Sequence, residues 1–419
     1  MNSSEEAISL EHEYGAHNYD PLPVVLSRGK GVFVWDPEGN RYFDFLSAYS
    51  AVNQGHCHEH ILNAMTEQAA TLTLTSRAFY NSVLGEYEQF VTRYFGFEKV
   101  LPMNSGAEGV ETALKLCRKW AYEKKGVPPE QVKIIVCRNN FHGRTISMIS
   151  LSNNPSATNN FGPFTPGFVS IPYNDIGALE EALKDEQVAG FLVEPIQGEA
   201  GVLVPDDSYI PRAAGLCREN NVLFIADEIQ TGIARTGSLL SVCGECSCKG
   251  DCERGEAYTK PDILILGKAL SGGFYPVSAV LADKAVMDVI KPGEHGSTFG
   301  GNPLASRIAI AALEVVQKEK LAQNARRLGS LFRKEMEQLV KDCGILKSVR
   351  GKGLLNAILI NSSPESSLAM DFCLALKENG LLAKPTHGNI IRLAPPLVIS
   401  EEQMMDCIRI IRKTALAMD

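Results

Sequence analysis

The sequence predicts an α/β fold built in two parts, and three observations carry that prediction. Short apolar runs alternate with helix-length segments along the first three quarters of the chain. Those runs are rich in Val, Ile and Leu on both faces, as in a mainly parallel sheet covered on both sides. After Pro303 the pattern changes to long amphipathic helices and an isolated strand pattern.

Near the start, "GVFVWDPEGNRYFDF" reads as a hairpin turning at Pro37-Glu38-Gly39. The predicted sheet strands follow as "KIIVC" (133–137), "VAGFLVEP" (188–195), "VLFIADE" (222–228), "DILILGK" (262–268) and "VSAVLAD" (277–283). Helices are expected between them at 107–125 and 208–221, then over 304–341 and from about 401 to 416. "RGKGLLNAILI" (350–360) reads as one strand. The expected division is a large domain over 51–303 and a small α+β domain over 304–419, which residues 1–50 join.

Composition narrows the function. The 419 residues are 45% hydrophobic and 21% charged, which suits a soluble globular protein. A net charge of −8 without a long basic run argues against nucleic acid as a partner. No apolar stretch approaches the ~20 residues of a membrane span. The first residues carry several Glu and no Arg or Lys before Tyr14, unlike a secretory or transit leader, so a cytoplasmic location is expected, or a mitochondrial one if a leader has been removed. Of the eleven cysteines, seven are scattered in apolar contexts as reduced core thiols would be, while Cys243, Cys246, Cys248 and Cys252 crowd one segment.

In such sheets function sits at the carboxyl ends of strands. Asp227 and Gln230 follow one predicted strand, Glu194 and Glu199 another, and Lys268 a third. Any one of them alone is as readily a solvated strand-end charge. "NSGAEGVE" (104–111) adds a helix start whose free N–H groups and dipole suit an anion, although Ser105 with Glu108 also makes an ordinary N-cap. It has neither a Walker lysine nor G-x-G-x-x-G, which weakens ATP and dinucleotide readings. A lysine amine, an acid and a phosphate cradle together match pyridoxal 5'-phosphate (PLP), whose aldehyde takes an amine, whose pyridine nitrogen needs an acidic partner, and whose phosphate needs a handle. Lys268 would be the nucleophile, made reactive by desolvation, with Asp227 holding the ring nitrogen and Gln230 near the phenolic oxygen.

Longer motifs support a resemblance. "LFIADEIQTGIARTG", "DILILGKALSGGFYPVSAVLA" and "KPGEHGSTFGGNPLA" resemble the class III, fold type I PLP-dependent aminotransferases. "EYGAHNYDPLPVVLSRGKGV", "SAYSAVNQGHCH", "LTSRAFYN", "NNFHGRT", "VEPIQGEAGV" and "LLAKPTHGNIIRLAPPLVI" are similar to the ornithine aminotransferases within that class. The resemblance runs from about residue 11 to the C-terminus. It implies a homodimer with active sites at the subunit interface. Ser105, Gly106 and Ala107 would hold the phosphate, with Thr298 completing the site from the other subunit, and Phe141 would stack on the ring. His142 stands where the family commonly has Trp. Arg144, Tyr19, Tyr49 and a Glu199–Arg392 pair would recognise substrate. The implied reaction is ping-pong transfer of the δ-amino group of L-ornithine to 2-oxoglutarate, giving glutamate 5-semialdehyde and glutamate. Acetylornithine and 4-aminobutyrate aminotransferases share Lys268 and Asp227 but match less well at Tyr19, Tyr49 and "KPTHGNIIR". A catalytically silent homologue is the reading from outside the enzyme class.

Two further clusters are weaker. His56, Cys57, His58 and His60 of "GHCHEH" lack a second ligand pair and make a poor zinc template. "CGECSCKGDC" is expected to be an inserted, reduced surface loop, with disulfide-based sensing or metal binding as the alternatives.

Overall fold

The computed structural model of the protein describes residues 3–243 and 259–419. Its centre is a seven-stranded sheet in the order Lys99–Met103, Ser278–Ala282, Ile263–Leu266, Leu223–Asp227, Val188–Val193, Lys133–Cys137, Phe168–Ile171. Ser278–Ala282 runs antiparallel to both neighbours, and the remaining pairs are parallel. Six strands therefore point the same way, and their carboxyl ends share one edge of the sheet. Every residue of Val188–Val193, Leu223–Asp227, Ile263–Leu266 and Ser278–Ala282 is buried, which explains the continuous apolar runs.

Helix Gly106–Trp120 covers one face through Val110, Ala113, Leu114 and Cys117. On the other face pack Tyr209–Glu219 and the helix Pro303–Lys318, which also lies against Glu59–Ala69 and Leu84–Phe95. The helical stretch expected over 304–341 is two helices, Pro303–Lys318 and Leu321–Asp342, broken where Lys320 takes a left-handed conformation.

Two four-stranded sheets complete the structure. In one, the hairpin strands Phe33–Trp35 and Arg41–Asp44 pair as the sequence indicates, and Leu381–Leu382 adds in parallel to Arg41–Asp44. The other has the order Leu346–Lys352, Leu355–Ile360, Ile390–Leu393, Lys384–Thr386, all antiparallel. Here the expected single strand over 350–360 is corrected to two. Gly353, at φ 54°, turns the chain back, and a Cβ there would lie 2.3 Å from the Thr236 carbonyl carbon. The apolar run simply continued through that turn.

Arg235 joins these parts. It is fully buried and donates to Asn53 Oδ1 and to the carbonyls of Leu354 and Pro395, so one guanidinium ties three distant segments. Burial lowers its pKa to about 9.

Candidate active site

The site forms where five strand ends meet the second antiparallel sheet. After Met103 the chain turns through Asn104 and starts helix Gly106–Trp120. Ser105 Oγ accepts from Glu108 N at 3.2 Å, and Glu108 Oε2 accepts from Ser105 N at 2.7 Å, a complete capping box. The ordinary N-cap reading thus holds for Ser105 itself. The next amides, of Gly106 and Ala107, have no helical carbonyl to bond to and face the cavity. A Cβ on Gly106 would come within 3.1 Å of Ile229, so a larger residue there would press on that side chain.

Asp227 ends its strand, buried, with Oδ1 accepting from Ile229 N at 3.1 Å and Oδ2 2.7 Å from His142 Nδ1. His142 lies fully inside. Burial favours its neutral ring, but the bond to Asp227 and the charge of that carboxylate outweigh burial and raise its pKa. The residue that departs from the family's usual Trp is therefore a neighbour of the key carboxylate. Glu194, one step beyond Val193, accepts from Phe141 N at 2.9 Å. Burial pushes its carboxyl up to about 8, against the pull of His142.

Lys268 follows extended Gly267 and sits at φ 45°, a conformation unfavourable to a residue with a Cβ. Its amine has no hydrogen-bond partner among the described residues. Burial lowers its pKa; Glu199, Asp227 and Glu194 oppose that shift, and Arg392 reinforces it.

Arg392 comes from the second antiparallel sheet, on Ile390–Leu393 opposite Ala357. Its Nη1 donates to Glu199 Oε1 at 2.6 Å and to Gly198 O at 3.2 Å, while its Nε is buried without a partner. Burial would raise the Glu199 pKa, but Arg392, Lys268 and Gln230 together hold it below its ordinary value. Gln230 Nε2 donates to Glu199 at 3.0 Å and to Tyr49 O at 3.4 Å. To donate to a phenolic oxygen, that nitrogen would have to turn from Glu199. The Tyr49 ring lies 5.1 Å from the Arg392 guanidinium. Tyr49 sits in a left-handed turn, since Ser47, Ala48, Tyr49 and Ser50 have φ of 47°, 45°, 59° and 72°. Without a glycine, such a turn costs about 1–2 kcal/mol per residue.

These groups enclose a cavity of about 210 Å³. Of the residues the sequence singled out, Gly106, Ala107, Phe141, His142, Glu194, Glu199, Asp227, Gln230 and Lys268 line it. Tyr49 and Arg392 adjoin it through Glu199 and Gln230. Arg144 is exposed, its guanidinium 5.5 Å from the Phe141 ring. Tyr19 is 68% exposed and lines a separate groove with residues 8–21. Thr298 is exposed and outside the cavity of its own chain. Gly143, Ile229 and Thr231 line the cavity although the sequence reading passed over them. Ile229 had a signal, because it lies between the two strand-end motifs and packs on both Gly106 and Gly267.

The other clusters resolve differently. His56 pairs with Asp44, His58 with Glu319 and His60 with Glu314, at 2.7–2.8 Å, so each imidazole of "GHCHEH" has its own carboxylate. Cys243 is buried, and Cys246, Cys248 and Cys252 lie outside the described residues.

The cavity fits PLP on observations independent of any relative. Gln230 Oε1 and His142 Nε2 are buried polar atoms without partners. An unpartnered amine, a carboxylate on the adjacent strand and two free helix-start amides converge on one cavity, which is the donor set of a PLP enzyme. The comparisons agree. A family model, "Aminotransferase class-III", matches residues 14–415. The chain belongs to the class-III aminotransferases, whose cofactor is PLP.

Particular relatives are near. "Ornithine aminotransferase, mitochondrial" of Drosophila melanogaster is 62% identical over 415 residues, which cover 99% of this chain and 92% of the relative. A Toxoplasma gondii ornithine aminotransferase structure, described as holding PLP at partial occupancy in its active site, superposes with a TM-score of 0.93. It is 50% identical and covers 99% of this chain and 94% of its own. A structure described as the acetylornithine aminotransferase of Elizabethkingia anophelis has a TM-score of 0.89 and 61% identity, covering 100% of both chains.

Glu194 carries a pH prediction. The native protein holds its proton up to about pH 8, whereas the unfolded chain releases it near the ordinary 4.5. Unfolding therefore releases a proton between those values, and stability falls as pH rises through the window, by up to about 1.4 kcal/mol per unit. His142, whose pKa is raised, also loses stabilisation with rising pH, so only a comparison isolates Glu194. Urea unfolding of the cofactor-free protein at pH 5 and pH 8 should show a smaller loss in Glu194→Gln than in wild type.

Proposed function

We propose that the protein transfers the δ-amino group of L-ornithine to 2-oxoglutarate, producing glutamate 5-semialdehyde and L-glutamate in two ping-pong half-reactions. The observation that carries this reading is the ion pair of buried Arg392 with half-buried Glu199, close enough to the amine of Lys268 for each charge to act on it. PLP, when bound, supplies an aldehyde that condenses with amines and a ring that accepts electron density from the carbon losing a proton. Lys268 Nζ would hold the aldehyde until an amine substrate replaces it and would then carry the proton from the reacting carbon. Asp227, fixed by His142 and Ile229 N, would be the acidic partner of the ring nitrogen. The Gly106 and Ala107 amides would hold the phosphate.

Specificity follows from charge. Ornithine brings an amine to the reacting end and a carboxylate at the far end, for which Arg144 is the bidentate partner. Glutamate carries a second carboxylate next to its reacting carbon, and Arg392 would be the cation for it. With Glu199 on Arg392, that cation is neutralised while ornithine binds; turning Glu199 away releases it for the keto acid. Tyr19 and Tyr49 would flank the ornithine chain.

The acetylornithine reading is supported by the Elizabethkingia structure. The same δ-amine would react there, so N-acetylornithine must be assayed beside ornithine.

We also read the assembly as a homodimer. Phe79, Tyr80 and Phe299 are large apolar side chains left 73%, 104% and 46% exposed, and Thr298, next to Phe299 in sequence, lies outside the cavity of its own chain. Sedimentation should give twice the mass of the chain, with Phe299→Asp shifting it toward one.

Product analysis should show glutamate 5-semialdehyde from ornithine and 2-oxoglutarate, and none from Lys268→Ala. Borohydride reduction of the wild-type enzyme should label Lys268; a label on another lysine would overturn its role.

Glu199→Ala should leave Arg392 uncompensated and raise the glutamate-to-ornithine ratio of half-reaction rates by about tenfold or more. An unchanged ratio would remove the pair from specificity.

A further inference from the structure

Four consecutive residues without a glycine, Ser47 to Ser50, hold left-handed backbone angles beside the site. Strain of this kind persists only where its surroundings impose it. The Ser47 and Ser50 hydroxyls are buried without partners among the described residues, so the turn is not held by its own side chains. What holds it is Asp44, the last residue of strand Arg41–Asp44. Its Oδ1 accepts from Leu46 N at 2.9 Å and Ser47 N at 2.8 Å, and its Oδ2 lies 2.7 Å from His56 Nε2. One carboxylate thus closes the entry to the turn, and one imidazole fixes that carboxylate's rotation.

The far side of the turn faces Arg392 and Gln230. Tyr49 presents its ring to Arg392 and its carbonyl to Gln230, whose same amide nitrogen bonds Glu199. The turn therefore touches Arg392 directly and Glu199 through Gln230. We infer that Asp44, steadied by His56, is a positioning residue for amino-donor specificity, acting through the left-handed turn that sets Tyr49 against the Arg392–Glu199 pair. If the turn relaxes, ornithine loses the Tyr49 wall. Gln230 also loses an acceptor and Arg392 loses its ring, so the ion pair loosens and Arg392 becomes more available to glutamate's second carboxylate. This rests on the substrate reading above.

The test is a set of single-turnover half-reactions of the holoenzyme with L-glutamate and with the ω-amine donor that the wild type uses, followed by cofactor absorbance. The wild type alone decides whether that donor is ornithine, so the substrate reading and this inference fail separately. Asp44→Ala should raise the glutamate-to-donor ratio about tenfold, mainly through weaker donor binding, with the limiting rate changed about threefold or less. Asp44→Asn keeps an acceptor for both amides, with His56 accepting in its other tautomer, and should restore the ratio to within about threefold of wild type. A purely structural role would lower stability in Asp44→Ala and leave the ratio unmoved, which overturns the inference, as does an Asp44→Asn enzyme no better than Asp44→Ala. His56→Ala, which leaves the clamp but frees its rotation, keeps the test open where Asp44→Ala does not fold. It should raise the ratio about threefold, and an unchanged ratio there also counts against the role.

Discussion

A half-buried lysine, whose amine has no hydrogen-bond partner among the described residues, sets the terms for everything around Lys268. Charging it inside the protein is costly, so burial pulls its pKa down and leaves more of it neutral and nucleophilic. The same dryness acts on its neighbours. Glu194 keeps its proton near neutral pH, while Glu199 is ionised only because Arg392 and Lys268 compensate it. The cavity thus holds several ionisable groups without accumulating charge of one sign. Removing one partner of such a buried set costs about 3–5 kcal/mol, far more than a surface pair.

Much of this was legible in the sequence because the information is local. Strand-end positions can be read from apolar runs that stop at a polar residue, and the common direction of the strands then brings Asp227, Glu194, Glu199 and Lys268 together. The capping box at Ser105 was visible as Ser with Glu three residues on. The long motifs of the class III resemblance supplied what local pattern cannot, such as Arg392 reaching Glu199 across 193 positions.

What stayed hidden depends on backbone conformation and distant pairing. Nothing in "SAYS" announces a left-handed turn, since none of its residues prefers one. The hairpin at Gly353 was masked by apolar residues on both sides of the turn. His142 looked like an aromatic replacement; its bond to Asp227, 85 positions away, exists only because the segment after Lys133–Cys137 reaches past the end of Val188–Val193 to the end of Leu223–Asp227. His56 sits in a stretch that the sequence marked only as a poor zinc template, and the structure gives its three histidines a carboxylate each, Asp44 being the partner of His56.

The pairing of Leu381–Leu382 with Arg41–Asp44 has a consequence for the order of assembly. The strand that ends in Asp44 gains its last neighbour only after 381 residues have been made. Arg235 likewise waits for the carbonyl of Pro395. On a chain emerging from its N-terminus, the central sheet can form while the first strands are still missing a partner. Contacts of such long range are closed late because their loop entropy is repaid last. The wall of the pocket that carries Tyr49 therefore belongs to the final stage of folding, although its residues are among the first to be synthesised.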